Sequence, residues 1–219
     1  MITLDFLAVL RDWPSLVQGL VMTSVLTLVA AVFGVSLGIA CAWARVNAST
    51  PFRVVVAVYV ELIRNTPFIV QLFFIFFGLP GLGIKLSPEA ASVLAMVINL
   101  GAYSAEIVRA GLEATPRGQT EAGESLALSR TQIFLHVVLP PSLARVWPAL
   151  ASQIVIVMLG SAVCGQIAAQ ELSYFANLIQ SRNFRAFEAF IIAAVLYLGL
   201  AVALRALLNA IGRRWLLVR

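Results

Sequence analysis

The most constraining feature of this sequence is the stretch from Leu16 to Ala44, which is mostly apolar and contains no charged residue. About 20 apolar residues are enough for an α-helix to cross the hydrocarbon core of a bilayer. Only helices and closed β-barrels satisfy their backbone hydrogen bonds in lipid, and barrel strands alternate apolar with polar residues. The unbroken run therefore predicts a transmembrane helix.

Four further apolar runs predict an all-α bundle of five transmembrane helices. The composition agrees, because 61% of the residues are hydrophobic and 11% are charged, against about 45–50% and about 25% in soluble domains. The predicted spans are 16–44, 54–79, 90–108, 146–169 and 189–211, within a single transmembrane domain at 16–213.

The distribution of arginine and lysine predicts the orientation, since cytoplasmic loops carry an excess of these residues. With the N-terminus outside, ten of the 15 Lys and Arg residues fall on cytoplasmic segments. Four fall outside, namely Arg11, Lys85, Arg182 and Arg185, and Arg64, inside span two, counts for neither side. Residues 1–15 are then a periplasmic segment and residues 214–219 a cytoplasmic tail. Because residues 1–14 lack the order of a secretory signal, we expect them to stay on the protein.

Few side chains suit metal binding or catalysis. Cys41 and Cys164 lie inside apolar runs, and His136 is the single histidine, so no metal site is predicted. The only lysine, Lys85, is followed by Leu86, which excludes the lysine of a phosphate-binding P-loop. With no nucleophile and base in a recognisable pattern, we predict that the chain itself is not an enzyme.

The longest predicted cytoplasmic segment is 109–145. A proline and a glycine break the chain after span three, and a short helix is predicted over about 119–128. Ser129 and Gln132 have the spacing of a capping box, which starts a second short helix. The pair Pro140-Pro141 is expected to end that helix before span four. The pattern predicts a rigid helical knob, and loops of this length are usually functional.

This segment resembles the EAA loop of ABC-importer permeases, which usually reads Glu-Ala-Ala, three residues, Gly, and later Ile-x-Leu-Pro. The sequence here reads Glu121-Ala122-Gly123-Glu124-Ser125-Leu126-Ala127-Leu128-Ser129, followed later by Val137-Val138-Leu139-Pro140. Gly123 replaces the usual alanine and Ala127 the usual glycine. Both changes exchange the two smallest residues, so close approach to a partner remains possible.

Three other blocks are similar to permeases of polar amino acids of the histidine, glutamate and glutamine type. They lie in span two, at the end of span three with the following loop, and at the start of the last span. They read Tyr59-Val60-Glu61-Leu62-Ile63-Arg64-Asn65-Thr66-Pro67 with Val70-Gln71-Leu72-Phe73-Phe74, Ala102-Tyr103-Ser104-Ala105-Glu106-Ile107-Val108-Arg109-Ala110-Gly111 with Pro116-Arg117-Gly118-Gln119, and Phe187-Glu188-Ala189-Phe190 with Tyr197.

The resemblance implies the type I ABC-importer permease fold, also called MetI-like, in the bacterial cytoplasmic membrane. It implies a second permease, identical or paralogous, two cytoplasmic ATP-binding subunits and a periplasmic or surface-tethered amino-acid-binding protein. ATP and Mg would be bound by the ATPase, with no cofactor in this chain. The implied ATPase-coupling loop is 117–141, and its implied coupling residues are Gly118, Glu121, Ala122, Gly123, Ala127 and Leu128.

Charged and polar groups within the spans are candidates for the substrate path. Arg64 lies near the middle of span two, where a charge costs on the order of 2.5–3.5 kcal/mol or more. Glu61 can pair with it, either as a structural clamp or beside a substrate site at the break made by Pro67. Glu106 and Arg109 form a second predicted ion pair. The other path candidates, which could equally join helices by hydrogen bonds, are Asn65, Gln71, Asn99, Tyr103, Ser161 and Gln166.

Two alternative functions stay open at this point. A permease of another small-solute ABC importer, for example one for methionine, would share the loop and the topology. A stand-alone secondary transporter or channel would need its own energy coupling and usually more helices or inverted repeats. The sequence favours the amino-acid importer and leaves the particular amino acid open, together with the choice between identical and paralogous permeases.

Overall fold

The computed structural model describes residues 4–215, and all regular secondary structure within them is helical. The ten α-helices in chain order are α1 (Phe6–Leu10), α2 (Trp13–Asn47), α3 (Thr50–Arg64), α4 (Phe68–Phe73), α5 (Pro88–Glu113), α6 (Arg117–Ser125), α7 (Arg130–Gln132), α8 (Leu139–Gly160), α9 (Leu172–Asn183) and α10 (Ala186–Trp215).

Four helical stretches are long and apolar enough to cross a membrane, and a fifth is added if the bent pair α3–α4 is one span. The four are α2, α5, α10 and the stretch Arg130–Ile167, which contains α8. Of an apolar 18-residue stretch of α10, only 11% is buried within the chain. Such an exposed apolar surface suits lipid or another subunit rather than water. The predicted all-α membrane bundle is confirmed, and each predicted span overlaps one of these stretches.

The predicted break in span two lies at Asn65–Pro67, where α3 and α4 meet at an angle of 112°. Pro67 has no N–H to continue the helix and disfavours helical geometry in the residue before it. Side chains bond back to the carbonyls at the end of α3: Asn65 Nδ2 donates to Glu61 O at 2.8 Å, which also accepts from the Asn65 N–H, and Thr66 Oγ1 donates to Leu62 O at 2.9 Å. The sequence Asn-Thr-Pro thus both breaks the helix and caps it.

Beyond α4 the chain continues in tighter and wider helical turns. A π-helical turn at Phe74–Gly78 is followed by a 3₁₀ turn at Leu79–Leu82. Gly83 then adopts φ +83°, a left-handed conformation that a glycine reaches without strain.

The expectation that Pro140-Pro141 ends the second helix of the loop is wrong. The chain stays helical from α7 through a π-helical segment, Ile133–Val138, directly into α8. The two prolines are the second and third residues of α8. A proline lacks the N–H and crowds the carbonyl four residues earlier, and the wider π turn just before it changes that local hydrogen-bond pattern. The helix therefore passes the prolines without ending.

The loop after span four contains a helix that the sequence reading missed. In α9 the buried residues Leu172, Phe175, Ala176 and Ile179 follow the spacing of one helical face. The helix begins at Glu171, whose side chain caps it, and ends at Phe184 in a left-handed conformation, φ +58°. The spacing of these apolar residues in the sequence could have predicted the helix.

The chain divides into two compact units, each built from pieces of several helices. The first unit comprises residues 4–30, 67–96 and 155–204, within the described part of the chain. One core cluster joins α2, α9 and α10 with Val9 of α1, and its buried members are Val9, Leu16, Leu172, Ala176, Ile179, Ala189 and Ala193. The N-terminal segment is tied to this unit, because the Asp5 N–H donates to the Glu188 carboxylate at 3.1 Å.

The second unit comprises residues 31–66, 97–154 and 205–215 of the described chain. One core cluster is formed by Ala42, Val108, Phe134, Leu139 and Leu150, and a smaller one by Cys41, Val60 and Ala105. The predicted cytoplasmic tail, 214–219, begins inside α10. Residues 216–219 and the first three residues of the predicted periplasmic segment lie outside the described residues.

Candidate functional site

Helix α6 carries most of the predicted coupling residues. It begins after Pro116 and ends at Ser125, so it starts and stops two to three residues earlier than predicted. Gly118, Glu121 and Ala122 are spaced three and four apart and share one exposed face. The opposite face carries Gly123, which is buried.

Gly123 lies where α6 packs against the π-helical segment Ile133–Val138. A Cβ atom at position 123 would lie 2.9 Å from Cγ1 of Ile133, closer than such contacts normally come. The glycine at this position, where the EAA pattern usually has alanine, therefore matches the bulk of the isoleucine facing it. The close packing seats α6 on the helix that leads into α8.

Ala127 is not in a helix, contrary to the predicted helix over 119–128. It adopts φ +56°, the left-handed conformation that usually follows the end of a helix. The Ala127 N–H donates to Glu124 O at 2.9 Å, and the Leu128 N–H donates to Gly123 O at 3.2 Å. These two bonds are the pair that defines a Schellman motif. The glycine that the EAA pattern has here is thus explained by backbone conformation, and Ala127 adopts it with strain.

The second helix begins as predicted, at the Ser129–Gln132 capping box. The Ser129 N–H donates to Gln132 Oε1 at 2.9 Å, and Ser129 Oγ accepts from the Gln132 N–H. Leu128, the last predicted coupling residue, is half-buried, whereas Leu126 is 74% exposed. The exposed apolar side chain at the tip of the turn is therefore Leu126.

The base of α8 is bonded to the end of α5. Arg145 Nη1 donates to Ala114 O at 2.6 Å, and the hydroxyls of Thr115 and Ser142 lie 2.7 Å apart. At Gly111 an added Cβ would come within 3.0 Å of the Ser142 carbonyl oxygen, so the two helices meet backbone to backbone.

The predicted ion pair between Glu106 and Arg109 is present and belongs to a larger network. Arg109 Nε donates to Glu106 Oε1 at 3.0 Å, and its other nitrogens contact Glu106 and Glu113. Arg45 of α2 reaches the second oxygen of Glu106 at 3.5 Å. The network joins the C-terminal part of α2 to the C-terminal part of α5, the helix that precedes the loop.

An open pocket of about 570 Å³ lies beside α6. It is lined by the side of α6 that carries Thr120 and Glu124, by Arg130 and Phe134 of the following helix, and by the ends of α2 and α5. Its walls carry both acidic and basic side chains.

The described residues show no ion pair between Glu61 and Arg64, so that prediction is wrong. The Glu61 carboxylate accepts from Asn65 Nδ2 at 3.0 Å instead. The Arg64 guanidinium lies over the ring of Tyr103, 5.7 Å from its centroid, and the Tyr103 hydroxyl donates to Arg64 O at 3.4 Å. The pairing fails because α3 ends at Arg64, which leaves Asn65 to bond back to Glu61 while Arg64 turns towards α5.

The path candidates fall into both units. In the second unit Arg64, Asn65 and Tyr103 lie together, and Asn99 is buried on α5. In the first unit α4, which carries the buried Gln71, packs against a 3₁₀ segment, Ser161–Ile167. That segment carries the other two candidates: Ser161 is buried with its hydroxyl donating to Met158 O at 2.7 Å, and Gln166 is exposed.

Sequence reasoning missed one residue of this region, the buried Glu171. Its carboxylate caps α9 and contacts the hydroxyls of Ser173 and Tyr197. The available signal was a glutamate, next to Gln170, directly after an apolar span. An acidic residue at such a position needs hydrogen-bond partners if it is buried.

Comparison with known proteins identifies the family. A family model described as the inner membrane component of binding-protein-dependent transport systems matches residues 34–217. The L-cystine transport system permease protein TcyB of Bacillus subtilis (strain 168) is 34% identical over 203 residues, covering 92% of this chain and 87% of that protein. The glutamine transport system permease protein GlnP of Escherichia coli (strain K12) is 34% identical over 212 residues, covering 96% and 97%.

Solved structures agree on the fold. A chain of an amino acid ABC transporter crystallised with histidines superposes with a TM-score of 0.86 at 35% identity, covering 97% of this chain and 100% of that one. A chain of the methionine ABC transporter MetNI in an inward-facing conformation superposes with a TM-score of 0.78 at 21% identity, covering 93% and 97%. The predicted MetI-like permease fold and the resemblance to amino-acid permeases are confirmed. The chain therefore belongs to the family of binding-protein-dependent transport system inner membrane components, the permease subunits of ABC importers.

Proposed function

We propose that this chain is the transmembrane permease subunit of an ATP-driven importer of polar amino acids. The observation that carries the proposal is the exposed α6 face with its Schellman turn, in a chain whose matched relatives are permeases for cystine, glutamine and arginine. These amino acids differ in their side chains and share only the α-amino and α-carboxylate groups. The proposed substrate class is accordingly a zwitterionic α-amino acid with a polar side chain.

The proposed partners follow from the family. A second permease, identical or paralogous, completes the translocation path, and a periplasmic or surface-tethered binding protein delivers the amino acid. Two cytoplasmic ATP-binding subunits hold the ATP and Mg and dock on the exposed faces of the two α6 helices. The N-terminus is then outside the inner membrane and the C-terminus in the cytoplasm, as the arginine distribution predicts.

The contacts of the second unit supply a route for coupling. A force on α6 reaches α8 through the contact of Gly123 with Ile133 and the continuous helix that follows it. It reaches α5 through Arg145 and Ser142, and α2 through the Glu106 network. Each link is a direct hydrogen bond, an ion pair or a tight packing contact, and rigid elements of this kind can transmit a displacement.

The proposed path residues divide by their local chemistry. Arg64 over Tyr103 offers a cation at the break of span two, which suits the carboxylate of an amino acid. Asn65, Asn99 and the first-unit residues Gln71, Ser161 and Gln166 offer amide and hydroxyl groups. The Glu106–Arg109 network serves as an ion-pair link rather than as a substrate contact.

The proposal is tested with the intact transporter. The chain is expressed with its neighbouring transport genes, and the ATP-binding subunit should co-purify with it in detergent. In proteoliposomes, ATP hydrolysis should be stimulated by binding protein loaded from a panel of polar amino acids, with methionine as the comparison substrate. If the ATP-binding subunit co-purifies but only methionine-loaded binding protein stimulates hydrolysis, the substrate is methionine and not a polar amino acid. Transport by this chain without any ATP-binding subunit would overturn the proposal in favour of a secondary transporter or channel.

A further inference from the structure

The first unit contains a fully buried carboxylate that the proposed transport steps do not use. Glu171 is 0% exposed. It accepts a hydrogen bond from the Tyr174 N–H at 2.9 Å, and the hydroxyls of Ser173 and Tyr197 contact its two oxygens. None of the ion pairs within residues 4–215 includes it. We call Glu171, Ser173 and Tyr197 the Glu171 cluster.

The Glu171 cluster joins elements that are distant in sequence. Tyr197 comes from α10, and Ser173 Oγ also lies 2.6 Å from Ala162 O in the 3₁₀ segment, so its one hydroxyl proton is shared between that carbonyl and the Glu171 carboxylate. The N–H of Leu172, next to Glu171, donates to Thr23 Oγ1 of α2 at 3.2 Å. Buried polar groups that satisfy one another in this way fix a single arrangement of the surrounding helices, because an unpaired group would be costly.

The backbone of the 3₁₀ segment lies directly against the carboxylate. A Cβ atom on Gly165 would lie 2.6 Å from Ser173 Oγ and 2.8 Å from Glu171 Oε1, so only glycine fits. Three residues later Ala168 takes a left-handed conformation, φ +63°, which turns the chain towards Glu171. Residues 161–167 form a 3₁₀ helix, and its close approach to the cluster at Gly165 fixes its position beside Glu171.

Two of the path candidates are carried by this segment. Gln166 directly follows Gly165 and has an exposed side chain, whereas the next residue, Ile167, is 4% exposed. Ser161 opens the segment, and α4 with the buried Gln71 packs against it. The position of the Gln166 side chain thus depends on a backbone that the Glu171 cluster holds in place.

We propose that Glu171 and Tyr197 are positioning residues for transport, which fix the 3₁₀ segment so that Gln166 and Ser161 keep the geometry of the substrate path. The proposal rests on the proposed function above. Neither residue touches the substrate; both act through the backbone at Gly165. Losing one hydrogen bond of the cluster should therefore weaken substrate handling before it weakens assembly.

The test measures ATP-dependent uptake in proteoliposomes of the complete transporter against concentration of loaded binding protein. Tyr197→Phe removes one hydroxyl, and Glu171→Gln keeps the shape of the side chain. We expect the half-saturating concentration to rise about three- to tenfold in each, the range of one lost hydrogen bond, with membrane level and ATPase association unchanged.

Glu188→Gln is the matched control. Glu188 is also a buried glutamate of the first unit, 4% exposed, and it is bonded to Asp5 and Arg185 rather than to the 3₁₀ segment. The same amide substitution there should leave the half-saturating concentration unchanged. A rise equal to that of Glu171→Gln would show a general effect of buried carboxylates and would overturn the proposal.

A second measurement reports the segment itself. With Gln166→Cys as the labelling site, the rate of maleimide reaction should change at least severalfold when Tyr197→Phe is added. The parent protein serves as the unlabelled control, because both native cysteines, Cys41 and Cys164, are buried. If Tyr197→Phe reduces membrane level, Ser173→Ala takes its place, since it removes a different hydroxyl of the cluster.

The outcomes separate the two proposals. If the parent complex shows no amino-acid uptake, the proposed function fails, whereas the labelling rates still report whether the cluster holds the segment. If the parent complex transports and both the half-saturating concentration and the labelling rate are unchanged in the variants, Glu171 and Tyr197 are not positioning residues.

Discussion

Two alanines in left-handed turns, one in each unit, show how differently the same backbone conformation can be held. Ala127 ends α6 with φ +56°, and Ala168 ends the 3₁₀ segment with φ +63°. Around Ala127 the turn is held by the two backbone bonds of a Schellman motif. Around Ala168 it is also held by side chains, because Gly165 lies against Ser173 and Glu171. The first turn is local and exposed, and the second depends on residues from other helices.

This difference suits the proposed roles of the two turns. A coupling turn has to present a surface to a partner, and Glu121 and Leu126 are exposed beside Ala127. A segment that shapes a substrate path has to stay in place while the docked ATP-binding subunit moves. Side-chain bonds from several helices hold such a segment in place, and the loss of one of them should loosen it.

To test the comparison of the Ala127 and Ala168 turns, the largest effect, a loss of stability, is expected from a larger side chain at Gly165. Gly165→Val should destabilise the protein by about 1–3 kcal/mol or more, because the new side chain would overlap Ser173 Oγ and the Glu171 carboxylate. Thermal unfolding in detergent should show a fall of several degrees and a reduced membrane level. The matched control is Gly118→Val in α6, where nothing lies within 4 Å of an added Cβ. Equal losses at both sites would mean that the side chains around Gly165 do not limit what fits there.

The next effect concerns docking on the exposed face of α6. Glu121→Lys should reduce co-purification of the ATP-binding subunit by at least tenfold, because a partner that binds a carboxylate would then meet a like charge. The control is Glu124→Lys, since Glu124 lies on the same helix but lines the pocket beside it. Normal association and normal stimulation in Glu121→Lys would mean that this face is not the docking surface.

A smaller and more selective effect is expected where the base of α8 is bonded to the end of α5. Arg145→Ala removes the donor to Ala114 O and should leave ATPase association intact. Stimulation of hydrolysis by loaded binding protein should fall about two- to tenfold, the range expected for one lost hydrogen bond. Arg205→Ala, at an exposed position of α10, is the control. If loaded binding protein stimulates ATP hydrolysis as strongly in Arg145→Ala as in the parent, the coupling route does not pass through this contact.

The smallest expected effect is a gain in stability. Glycine adopts the left-handed conformation without the roughly 1–2 kcal/mol that an L-residue loses there, although it costs more backbone entropy on folding. Ala127→Gly should therefore raise the melting temperature by ~1–3 °C, from a net gain of about 0.5–1 kcal/mol. Ala168→Gly should give a similar gain, because its φ is nearly the same. A fall in melting temperature at position 127 would contradict the strain that we assign to it.

The sequence by itself determined the features that depend on neighbours along the chain. Long apolar runs specify membrane helices because every backbone group in lipid needs an internal partner. Pro67 specified the break in span two, and Ser129 with Gln132 the start of the second loop helix, through rules that involve three or four residues. The Glu106–Arg109 pair is likewise formed between residues one helical turn apart.

Only the tertiary structure decided which distant groups meet. Arg64 contacts Tyr103 of α5 rather than Glu61, the helix continues past Pro140 and Pro141, and Glu171 becomes a buried cap bonded to Tyr197. Local spacing left open which groups Arg64 and Glu171 would contact. Packing of the helices brings their partners together, and the buried Glu171 is stable only where its hydrogen-bond partners, one of them on α10, are in place.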